Sequence, residues 1–262
     1  MTLCNSRRHR ELARKNWALF IPKQPRISAG IPTRYNVRMA NQAYLSVICK
    51  EFSQERMMEF LGKFLGTVPY STSRPGFTRL TIRAVDASES PVLEEDLRAN
   101  PQDAAGIVQI ASEQLHSDSA YEIGCAWDLA TMDAASGKAV SEPQPMDILC
   151  RGEDYDGGEW RDRGHFEVVL GFEHFFTGHA NLLGSRDGGG AQPQSPEEAR
   201  FLEMMAWPDN LEKYQEKTRE NIRKLLDWMR RIEKALPVER AWLWSEGEEN
   251  FEARLEEIVA SR

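Results

Sequence analysis

Between Asn210 and Leu236 the chain carries one apolar stripe: Thr218, Ile222, Leu225, Met229, Ile232 and Leu236, at alternating spacings of four and three. That pattern predicts a single helix about 40 Å long at ~1.5 Å per residue, with a short coiled-coil seam along one side. Tyr214 falls one residue off the register, and Pro237 ends the helix. The segment around it, residues 196–262, reads as helical throughout. Ser195-Pro196-Glu197-Glu198 is a helix start, Trp207-Pro208 is a break, and Ser245 with Glu248 forms a capping box for a last helix carrying Phe251, Leu255 and Ile258.

Residues 39–183 read differently. In "AYLSVICKEF", Ala43, Leu45, Val47 and Cys49 alternate at strand period, and Ser53 then caps a helix bearing Met57, Leu61, Phe64 and Leu65 that Gly66 closes. "FTRLTIRAVD" follows, with Leu80, Ile82 and Ala84 on one face and Arg79, Thr81 and Arg83 on the other. This is a β-α-β unit. Ser90-Pro91 and Asn100-Pro101 each predict a helix start, the second helix running through about Leu115. Three consecutive strands, "AYEIGCAWDLA", "MDILCRG" and "GHFEVVLGF", suggest an antiparallel meander. The expected class is α+β: a mixed, largely antiparallel sheet with packed helices, then the C-terminal helical segment, joined by a mobile linker over residues 184–195, "GSRDGGGAQPQS".

Charge divides the chain. Its net −8 hides residues 1–38, which hold nine of the 33 basic residues and one of the 41 acidic ones, leaving the remainder with 24 against 40, a balance of −16. The basic, proline-interrupted segment 1–38 is expected to be a flexible arm, and Met39, where regular patterning begins, is an alternative start. An acidic body excludes phosphate-backbone binding as the expected role, and a basic partner suits it better. No apolar run approaches the roughly 20 residues a membrane helix needs. Cys4, Cys49, Cys125 and Cys150 show no C-x-x-C pattern, which points to buried thiols and a reducing cytoplasm.

The motifs of common chemistries are missing. No P-loop, dinucleotide fingerprint, nucleophile elbow or H-E-x-x-H is present, and no cofactor is expected. "WPD" at Trp207–Asp209 is similar to the acid loop of protein tyrosine phosphatases over three residues only, and no cysteine sits in that family's nucleophile motif. "EDYDGGEW", Glu153 to Trp160, groups carboxylates near two glycines but fails the EF-hand spacing. "GHFEVVLGFEHFFTGHA" holds His165, His174 and His179, the candidate metal ligands, with Asp154 or Glu173 as a further carboxylate. His165 and His174 are nine residues apart, so on an unbroken strand they face opposite sides, and only a bulge, for which Gly171 is the candidate, brings them into phase.

The balance therefore favours locally hydrogen-bonded histidines over a metal-assisted hydrolase. The expected role is non-enzymatic: recognition of a protein partner, or self-association, through the acidic surface and the C-terminal helices, with Trp228, Trp242 and Trp244 as candidate contact residues. In type alone, a chain that is acidic and free of catalytic motifs is similar to bacterial toxin-neutralising immunity proteins. A small-molecule pocket between sheet and helices is a third expectation.

Overall fold

A computed structural model describes residues 41–133, 136–178 and 196–260. Strand β1 (Gln42–Cys49) buries Ala43, Leu45, Val47 and Cys49, as its alternation predicts, and leads into helix α1 (Gln54–Leu65). Ser53 has the extended backbone of a cap, yet its hydroxyl donates to Glu55 rather than accepting from the helix. The chain then forms β2 (Phe77–Ala84), β3 (Leu93–Asp96), α2 (Ala104–Ser112), β4 (Ser119–Met132) and β5 (Ala139–Arg151). After a short helix α3 (Trp160–Arg163) come β6 (Phe166–Phe172) and another short helix, α4 (His174–Thr177). The C-terminal part holds α5 (Pro196–Met205), α6 (Pro208–Ala235), β7 (Val238–Ser245) and α7 (Phe251–Ala260).

The class is α+β. The seven described strands form one sheet in the order β3-β2-β4-β5-β6-β1-β7, and each pairing among them is antiparallel. The sheet is thus not mixed. The β1-α1-β2 unit exists in sequence, but β4, β5 and β6 stand between its two strands. β4 pairs with β2, β5 and β6 each pair with the strand before them, and β6 closes on β1, all antiparallel.

Two further differences concern the edges. After Pro91 the chain makes β3 instead of a helix, because Val92 donates to Ile82 O (2.8 Å) and Leu93 covers part of the core beside Ile82. Pairing with an open strand outweighs the local capping signal here. α2 starts later than expected, with Asp103 accepting from the Gly106 N–H at 2.8 Å. At the other edge, "VERAWLWS" is β7 and pairs with β1, so the C-terminal segment completes the sheet rather than forming a purely helical appendage.

Helices α1, α2, α6 and α7 bury their apolar sides against one face of this sheet. The stripe Thr218, Ile222, Leu225, Met229 and Ile232 is buried there, against strands instead of a second helix of a coiled coil. Trp228 is fully buried, donates Nε1–H to Thr67 Oγ1 (3.0 Å) and meets Phe64 edge-on. Tyr214, off the stripe's register, anchors a smaller cluster with Met132 and Met205. Cys49, Cys125 and Cys150 are buried free thiols. The expectations for residues 1–38 and 184–195 lie outside the described residues.

Candidate functional site

Because the seven described strands are paired side by side, the face opposite the helices carries rows of aligned side chains. One row runs Asp96, Arg79, Gly124, Asp147, Val169, Tyr44, Trp244 across the whole sheet. The next runs Glu94, Thr81, Glu122, Leu149, Glu167, Ser46, Trp242. Charged groups gather toward β3 and aromatic groups toward β7. Helix α3 reaches this face at the corner where Arg163 approaches Glu167 and Trp244.

On the charged side, Arg79 passes over Gly124 to donate to Asp147 Oδ1 at 2.9 Å. A Cβ on Gly124 would lie 3.2 Å from the Arg79 Cβ and 3.3 Å from Asp147 Oδ1, so the missing side chain is what lets the pair cross β4. Burial pushes the Asp147 carboxyl up, against the opposing pull of Arg79. Beside this pair lies a depression of about 440 Å³, walled by Glu94, Asp96, Arg98 and Asp147 and floored partly by Gly124 and Pro145. Further along, Arg83 pairs with Glu122 at 3.0 Å. Arg151, only 3% exposed, donates to Glu159 (3.0 Å) and Glu167 (3.2 Å). A guanidinium so fully withdrawn from water requires carboxylate partners, and removing both would strand a buried charge.

On the aromatic side, Tyr44 and Trp244 stack at 4.0 Å with their planes 7° apart. Trp244 donates Nε1–H to Ser46 Oγ (3.1 Å), and Tyr44 donates its hydroxyl to Glu246 at 2.6 Å. Arg240 lies 4.4 Å over the Trp242 ring and Arg163 5.3 Å over that of Trp244. Each cation covers part of its indole, and both indoles stay partly exposed.

The residues singled out in the sequence separate. Trp242 and Trp244 lie on this face, whereas Trp228 belongs to the core and cannot contact a partner. His165 and His174 flank opposite ends of β6, which alone spans about 20 Å at ~3.3 Å per residue, so they are too far apart to share one ion. Gly171 does carry the anticipated irregularity, with φ 98° and a register shift opposite Ala43/Tyr44. It lies within β6, but His174 has already left the strand to begin α4. His165 is 3% exposed, stacked between Phe52 (4.1 Å) and Trp160 (4.3 Å), and its Nδ1 accepts from the Cys49 N–H at 3.1 Å. His174 packs beside Phe172 and Phe175, and Glu173 accepts from the Gly247 N–H. Asp154 uses its backbone N–H to tie the loop to Ser117 O. His179 lies outside the described residues. Among the described residues no group of three or more His, Cys, Asp or Glu side chains converges as a metal site would require, and no helix is long and apolar enough to cross a membrane.

Sequence reading alone missed Asp147, Glu122, Glu167 and Arg151. Their signal was present as the polar positions inside otherwise apolar strands, "MDILCR", "YEIG" and "HFEVV". Compared with family models, curated proteins and solved structures, the chain matches none.

Proposed function

We propose that this chain recognises a protein partner, without chemistry on it, through the open face of the sheet. The observation that carries the reading is the arrangement of that face: partly exposed Trp242, Trp244 and Tyr44 at one side, and arginine–carboxylate pairs toward the other. Aromatic anchors held by arginine, beside charges already in fixed positions, are what protein interfaces favour energetically. At ~4.8 Å per strand the seven strands span about 30 Å, a width that suits a standard interface. The acidic β3 side favours a partner with a basic contact surface.

Site-specific photo-crosslinking in cells of the native source tests this. A photoreactive residue in place of Trp242 or Pro145 is expected to trap a protein, while one in place of Lys213, exposed on α6, is not. Adducts from position 213 alone would reject the open face as the recognition surface.

A further inference from the structure

The sheet ends in two edges of different character. β3 offers four residues, Leu93 to Asp96, three of them acidic, and a second copy of this edge would meet like charge. β7 offers eight residues, and its stretch Ala241–Ser245, "AWLWS", carries no charge. Long, aromatic and neutral edge strands are the ones that recruit further strands.

The pairing geometry shows which backbone groups of β7 point outward. Glu246 donates to Gln42 O at 3.1 Å, and Trp244 stands opposite Tyr44, so the even-numbered residues of β7 bond to β1. In an antiparallel pair the alternate residues then direct both N–H and C=O away from the neighbour, here Ala241, Leu243 and Ser245. The central one of these donors is taken. The Leu243 N–H donates to Glu252 Oε1 at 2.8 Å, from the first turn of α7. A side chain thus stands where the carbonyl of an eighth strand would stand.

From this contact we infer that the outer edge of β7 is a pairing surface for the β7 of a second copy of this chain, held shut by the Glu252 carboxylate. A second copy fits because a two-fold axis makes an antiparallel edge complementary to itself, and the uncharged Ala241–Ser245 stretch raises no repulsion against its own image. The surface is the edge of the sheet and is separate from the open face, so it stands or falls independently of the proposed recognition role.

The test uses the full chain and two substitutions. Glu252→Met keeps much of the side-chain volume but has no oxygen to accept from Leu243, whereas Glu252→Gln retains an acceptor. Sedimentation velocity at equal concentration is expected to leave Glu252→Gln at the wild-type mass and to double the mass of Glu252→Met. In the doubled species, hydrogen exchange at the Ala241 and Ser245 amides is expected to slow at least tenfold. A folded Glu252→Met protein of wild-type mass overturns the inference. So does a dimer in which those two amides exchange as in wild type, which would place the contact elsewhere. An unfolded Glu252→Met protein overturns it as well, because the carboxylate would then be a structural tie and not a closure.

Discussion

His165 shows how much one side chain's surroundings decide. Its ring is sandwiched by Phe52 and Trp160, and the Cys49 N–H points at Nδ1, so a proton has neither water nor an acceptor there. Burial holds its pKa at about 4, down from 6.5. Between these values the unfolded chain binds a proton that the folded chain refuses, so stability is full above the unfolded value and falls as pH drops toward the folded one. The expected loss from this group between pH 7 and pH 5 is about 2 kcal/mol, taking 1.36 kcal/mol per pKa unit. Urea unfolding at both pH values, in wild type and in His165→Gln, measures it: the variant should lose less stability on acidification by about that amount. Equal losses would mean the imidazole is better solvated than its contacts imply.

Elements were legible where the local pattern and the tertiary environment agree. The stripe of α6 was plain in the sequence, since every fourth or third residue is apolar, but periodicity does not say whether a sheet or another helix receives it. Asn221 supplies what the pattern lacked. It interrupts the buried side of α6, where its amide accepts from the Ala130 N–H (2.8 Å) and donates to Ala130 O (2.9 Å) and Phe175 O (3.0 Å). Ala130 lies where β4 runs past the end of β2, so Asn221 stands in for a missing strand neighbour. Asn221→Ala should therefore cost about 2–3 kcal/mol in thermal or urea unfolding, the penalty for leaving buried backbone groups unpaired. β3 and β7 were illegible for the opposite reason. Neither Leu-Glu-Glu-Asp nor Trp-Leu-Trp has a period of its own, and both become strands only because β2 and β1 present an open edge. The candidate site was half legible: the polar alternation of Arg79, Thr81 and Arg83 was visible, but pairing with Asp147 and Glu122 depends on registers between distant segments.

At the scale of the whole molecule, β7 and α7 belong to the core. Leu243, Phe251 and Leu255 are buried in the same cluster as Leu45 and Val47 of β1. Deleting residues 238–262 should abolish cooperative unfolding, read as loss of a sigmoidal thermal transition, because β1 would lose a neighbour and its apolar cover together. A truncated chain that still melts in one sharp step would show that the first six strands suffice. The crossover from β1 to β2 has a consequence for how such a chain is made. β1 leaves the ribosome before the other described strands, yet Leu45 pairs with Val168 and Leu243, which follow it by more than 120 and almost 200 residues. Until then β1 has neither of its native neighbours, an exposure that favours misassembly, and the last of the described strands to be translated seals the first of them.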